Sequence, residues 1–144
     1  MKLDEHETLA GMIHRLAAWQ TATMNRQLRT LGLNTDQANV IRYVGAHPGV
    51  NQQTVARLLS RNVASLTNLL KSLETKKLIE RRYEDGDVRT KHLLLTANGQ
   101  QINERVQQCF DKLDDQVNQV LPAEVQAATS EAIETLVKQL VDHA

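Results

Sequence analysis

The chain is poor in several features that mark whole classes of protein. One cysteine, Cys109, stands among 144 residues. No disulfide framework exists within the chain, which suits a reducing cytoplasm. No apolar run approaches the roughly 20 residues that span a bilayer. The opening MKLDEHETLAG is acidic and carries no apolar h-region, so no signal peptide is expected. Net charge is absent too, with 17 basic and 17 acidic side chains. Neither an internal repeat nor a low-complexity linker occurs. The motifs HExxH, CxxC, GxSxG and the P-loop are all missing. The histidines, His6, His14, His47, His92 and His143, are dispersed, and the acidic groups Glu5 to Glu7 and Asp114-Asp115 read as solvated faces. No catalytic residue, metal ligand or cofactor is therefore expected. What remains is a cytoplasmic chain of ordinary composition, 41% hydrophobic and 24% charged, about one domain long.

Apolar spacing supplies the architecture. Leu9, Ile13, Leu16, Met24, Leu28 and Leu31 recur at helical intervals, with a polar slot at Gln20. They predict a long helix from about Asp4 to Leu31, closed by Gly32. Asn34 and Gln37 have capping-box spacing and open a second helix through Ala46, ended by His47-Pro48-Gly49. Asn51 caps a third helix, with Val55, Leu58 and Leu59 facing inward. Asn62 caps a fourth, with Val63, Leu66, Leu69, Leu70 and Leu73 as its buried stripe. Leu78 to Tyr83 and Lys91 to Leu95 read as strands joined by a tip holding Asp85-Gly86. Thr96 caps a fifth helix running to about Leu121, and a sixth follows Pro122. The fold class is mainly α with a small β-wing. A winged helix-turn-helix lobe over 33–96 joins helices 1–31 and 97–144, which form a dimerisation lobe. Val125, Ile133, Val137 and Val141 are surplus to one subunit's core, so a second copy is expected to cover them.

The neutral total hides an uneven distribution. Between Gln52 and His92 stand nine basic side chains against five acidic ones, so this stretch carries +4 and the remainder −4. A basic lobe on an acidic body orients a protein on a duplex. The fourth helix sets Asn62, Ser65, Asn68, Lys71 and Ser72 opposite its apolar stripe. Asparagine bonds adenine bidentately, serine suits several base edges, and lysine suits guanine or phosphate. Arg57, Arg61 and Thr67 flank that face as phosphate contacts. At the wing, Arg89 suits a minor groove and Asp87 would hold its guanidinium, with the basic Lys91 next to them. An ordinary solvated helix face and a surface ion pair are the plainer alternatives. Cys109, beside Phe110, is expected to be a small core residue.

These residues resemble the MarR (multiple antibiotic resistance regulator) family of winged-helix regulators over essentially the whole length. The resemblance rests on LLSRNVASLTNLLKSLETKKLIERR and DVRTKHLLLTANG, in which Asp87, Arg89, Leu95, Thr96 and Gly99 match the family's wing signature. Leu33 to Gln37 is also similar to the family's pattern. The resemblance implies a homodimer that binds double-stranded DNA at a pseudo-palindromic operator, most often as a repressor. It also implies control by a small ligand, often aromatic or phenolic, at the junction of the two lobes. Met12, Arg15, Trp19 and Tyr43 are the pocket candidates, with core packing of Trp19 and Tyr43 as the alternative. Two departures stand out. Lys77 occupies the family's glycine position after the recognition helix, where a left-handed residue costs about 1–2 kcal/mol, which points to a different turn. Gly86 at the wing tip points to a more mobile wing. The rival function is a winged-helix protein-interaction module that no longer binds DNA.

Overall fold

The computed structural model describes residues 7–59, 63–84 and 87–143, without the side chains of 63, 84 and 87–90. The readings on Asn62, Asp85 and Gly86 lie outside these residues. Two compact units divide the chain, Met1–Phe110 and Asp111–Ala144.

The first unit begins with α1 (Leu9–Arg29) and α2 (Thr35–Ala46). Thr8 caps α1 by accepting from the Gly11 N–H at 3.1 Å. The capping box of α2 is complete. The Asn34 side chain accepts from the Gln37 N–H at 2.8 Å, and Gln37 Oε1 accepts from the Asn34 N–H at 3.0 Å. Next come β1 (Val50–Asn51), α3 (Gln52–Leu58) and α4 (Val63–Thr75). Asn51 caps α3 as expected, accepting from the Thr54 N–H at 2.8 Å. The wing follows as β2 (Ile79–Glu84) and β3 (Asp87–Leu95), and then α5 (Ala97–Asn118). Thr96 caps α5 through its hydroxyl, which accepts from the Gly99 N–H at 3.0 Å.

The antiparallel sheet has the order β1-β3-β2. Sequence patterning had shown only two strands. The third, β1, is two residues long, and one of them, Asn51, also caps α3, so it leaves no alternation to read. It pairs Val50 with Leu93 and Asn51 with His92.

Leu28, Val40, Ile41, Val44, Leu66, Leu70, Leu73, Leu93 and Val106 are fully buried. The stripe on α4 is thus the expected one at Leu66, Leu70 and Leu73. Leu58 is not: it is 56% exposed, and Val55 and Ala56 carry the inner face of α3 instead. Seven residues give α3 barely two turns, and its buried face is spent by Ala56.

Two helices end in the same hydrogen-bonded motif. After α1, the Gly32 N–H donates to Arg29 O at 3.0 Å and the Leu33 N–H to Leu28 O at 3.1 Å. After α4, the Lys77 N–H donates to Glu74 O at 2.8 Å and the Leu78 N–H to Leu73 O at 3.0 Å. Both are Schellman caps, each closed by an apolar pair, Leu28 with Leu33 and Leu73 with Leu78, all buried. Gly32 takes φ +72° and Lys77 takes φ +59°. The turn after α4 therefore keeps the left-handed form despite lysine, contrary to the sequence expectation. The cap's two bonds and the burial of Leu78 outweigh the steric cost. Because Lys77 is exposed, Lys77→Gly should relieve that cost against a smaller loss from greater unfolded-state freedom. Urea unfolding should show a gain of about 0.5–1 kcal/mol. A lower midpoint would show that the lysine side chain itself supports the turn.

The second unit holds the end of α5 and α6 (Ala123–Leu140). Gln126 Nε2 clamps the turn between them, donating to Asn118 O at 2.5 Å and Leu121 O at 2.7 Å. No residue of α6 is buried. Its Val125, Ile133 and Val137 are each more than 40% exposed, and Val141 beyond its end is 64% exposed.

Candidate nucleic-acid interface

The helix-turn-helix lies entirely in the first unit. Its second helix, α4, turns Leu66, Leu70 and Leu73 into the core and leaves a stripe of Ala64, Asn68, Lys71 and Thr75 exposed. The 4-3-4 spacing is one face of a 3.6-residue helix. Ser65, Thr67 and Ser72 fall outside that stripe and are half-buried. The reason lies in partners distant in sequence. Thr67 Oγ1 accepts from Gln52 Nε2 at 3.2 Å, which ties α4 to the start of α3. Ser72 Oγ accepts from Gln37 Nε2 at 3.0 Å, which ties it to the start of α2. Gln37 is 7% exposed, and its amide oxygen is already held by the α2 cap, so both ends of this buried side chain are satisfied. Lys76 Nζ reaches Gly32 O, and Arg81 on β2 pairs with Glu74. The recognition-helix position is therefore braced from α2, from α3 and from the wing.

Of the sequence candidates, Asn68 and Lys71 are exposed on α4, Ser65 is half-buried, and Thr67 faces α3. Arg57 is exposed in the last turn of α3, 3.4 Å from Thr54 Oγ1. Lys91 is half-buried, its Nζ 5.9 Å from the ring centre of Tyr83, its cross-strand partner. Arg61 and Asn62 lie outside the described residues. So do the side chains of Asp87 and Arg89, which stand at the start of β3. Sequence reasoning passed over Ala64, Thr75, Arg82 and Tyr83. All four are exposed, Tyr83 by 50%, and Arg82 pairs with Glu80 at 2.8 Å. Ala64 gave no polar signal to find.

The proposed effector residues do not gather in one place. Tyr43 stacks on His47 with ring centres 4.3 Å apart. It also lines a cavity of about 470 Å³ with Asn39, Arg42, Asn103 and Gln107. The Arg42 guanidinium lies 3.7 Å from the ring centre of Phe110. Met12 and Trp19 are 43% and 41% exposed on α1, so Trp19 is not a core residue of one chain. Arg15 pairs with Glu7 at 2.7 Å. None of these three lines that cavity. Among the described residues no cluster of three or more His, Cys, Asp or Glu side chains is arranged for a metal ion. No described helix is long and apolar enough to cross a membrane. Cys109 is half-buried.

An antiparallel wing following a helix-turn-helix, with short helices braced around one exposed polar stripe, defines a winged helix-turn-helix protein. Residues 31–89 match the MarR family model. The chain is similar in structure to the Staphylococcus aureus MepR–DNA complex, with a TM-score of 0.81 and 24% identity over 92% of this chain and 98% of that one. MarR itself superposes with a TM-score of 0.79 at 18% identity, over 99% and 97% of the two chains. A cysteine-to-serine mutant of MarR from E. coli gives 0.77 at 22%, over 93% and 99%. At these identities the likenesses establish the fold alone. A comparison with curated protein sequences returned no match.

Proposed function

We propose that the chain is a dimeric, DNA-binding transcriptional regulator acting in the cytoplasm, and a repressor released by a small aromatic or phenolic ligand. The observation that carries DNA binding is the exposed Asn68–Lys71 stripe of α4, braced beside a wing whose strands bear Arg82, Arg89 and Lys91. In this reading residues 33–96 grip the duplex, with α4 in the major groove and the wing against the backbone or minor groove. The helices of 1–31 and 97–144 pair with a second copy. Solved MepR bound to DNA supports the same use of this fold. A cavity with Arg42 and Tyr43 on its wall supports an aromatic acid as effector, since it offers a cation and a ring together.

Base reading and backbone grip separate in a salt titration. Lys71→Ala should lower the slope of log K against log salt by about one unit, as loss of one phosphate contact does. Arg89→Ala should do the same if the wing touches phosphate. Asn68→Ala should leave the slope intact and reduce discrimination at particular bases by about 1–3 kcal/mol. Wild-type protein that fails to bind duplex DNA at low salt would refute the reading and favour a protein-interaction module.

A further inference from the structure

We propose that α4 reads a thymine methyl through Ala64, one helical turn ahead of Asn68, so that each half-site carries a thymine beneath the start of the recognition helix. This inference rests on the DNA-binding reading above and goes on to name a base. It follows from which side chains of α4 remain unspent. Leu66, Leu70 and Leu73 are buried. Thr67 and Ser72 are engaged with Gln52 and Gln37. The Thr75 hydroxyl donates back to Lys71 O at 2.9 Å. Ser65 is half-buried, so among the described side chains of the first half of α4 the exposed ones are Ala64 and Asn68, with Lys71 following.

The N-terminal residues of a recognition helix are the ones that reach base edges. There Ala64 offers a methyl group and no hydrogen bond. The thymine C5-methyl is the apolar group of the major groove, and alanine is among the side chains that meet it. Asn68 lies about 6 Å further along the helix axis, at 1.5 Å per residue. That is close to two base-pair steps of about 3.4 Å, so the thymine and the adenine read by Asn68 fall within one short A·T-containing block. A longer or charged residue at Ala64 would hold the helix off this edge. The plain alternative is that alanine stands here for its helix propensity, with no DNA contact.

Deoxyuridine distinguishes the two, because it removes the methyl and nothing else. A duplex selected by the full-length protein from random sequence would have each thymine replaced singly, symmetrically in both half-sites. One position should weaken binding by about fourfold per half-site, the effect of one methyl buried against another apolar group. In Ala64→Gly that penalty should vanish, while in Asn68→Ala it should persist. Ala64→Ser serves as a second variant, since serine costs a helix less than glycine, and circular dichroism confirms folding of each. If no thymine shows a penalty, or if Ala64→Gly and Ala64→Ser both keep the wild-type penalty, the proposal is overturned although DNA binding stands. If no duplex is selected at all, both fail.

Discussion

Gly99→Ala should unfold this protein at a temperature roughly 10 °C or more below the wild type, the result of about 3–5 kcal/mol of lost stability. Gly99 is buried in the first turn of α5. A Cβ built there would lie 1.9 Å from Leu78 O and 2.9 Å from Leu78 C, both backbone atoms, and 3.3 Å from Leu95 Cβ. No side-chain rotation relieves a clash with backbone. The first turn of α5 must instead move away from the entry to β2. That movement strains a set of bonds at one point. The Thr96 N–H donates to Leu78 O at 3.0 Å, the Thr96 hydroxyl to Lys77 O at 2.6 Å, and the Gly99 N–H to Thr96 Oγ1 at 3.0 Å. Overpacking costs about 1–3 kcal/mol and each hydrogen bond lost about 0.5–1.5 more, a large share of the 5–15 kcal/mol that holds a domain folded. Asn98→Ala, at the exposed neighbouring position, is the control and should be nearly silent. A Gly99→Ala protein as stable as wild type would show that α5 is free to shift against the wing.

The second large effect concerns assembly. Val125, Ile133, Val137 and Val141 recur at intervals of eight, four and four, all exposed in one chain, and α1 leaves Leu9, Ile13 and Leu16 equally uncovered. Apolar stripes of this extent on helices are covered by a partner surface. Light scattering of the wild type should give twice the 16.2 kDa chain mass. Ile133→Asp with Val137→Asp should give the single-chain mass. A two-fold interface places each substitution twice, so four unpaired carboxylates would need to be buried. A regulator that grips two half-sites at once should then lose about 100-fold or more in operator affinity, because the second contact is no longer intramolecular. A double mutant that keeps the dimer mass would move the interface away from α6.

Local signals in the sequence survived folding. The Asn34–Gln37 box, the Asn51 and Thr96 caps and the Leu66-Leu70-Leu73 stripe involve residues within one or two turns of each other, so spacing alone exposes them. Lys77 misled because local sterics are only part of its energy; burial of Leu78 against Leu73 belongs to the tertiary fold. The polar face of α4 was legible in composition but not in orientation. Thr67 and Ser72 look available until Gln52 and Gln37 arrive from 15 and 35 residues away and consume their hydroxyls. Those glutamines carry no pattern that identifies their partners. Leu58 looked like core because helical periodicity does not show how short α3 is. Ala64 was silent for a chemical reason: an apolar methyl on a polar face has no charge or hydrogen bond to mark it.

Selection of bound sequences from random duplex DNA, followed by salt titration on the winner, tests the central claim most directly. The expected winner is a pseudo-palindrome whose half-sites lie about one helical turn, roughly 10 bp, apart. Two chains should bind one duplex, and affinity should fall steeply and linearly in log salt. Enrichment of no sequence, together with no binding at low salt, would contradict a DNA-binding regulator. Enrichment of a single unpaired half-site would contradict the two-fold dimer.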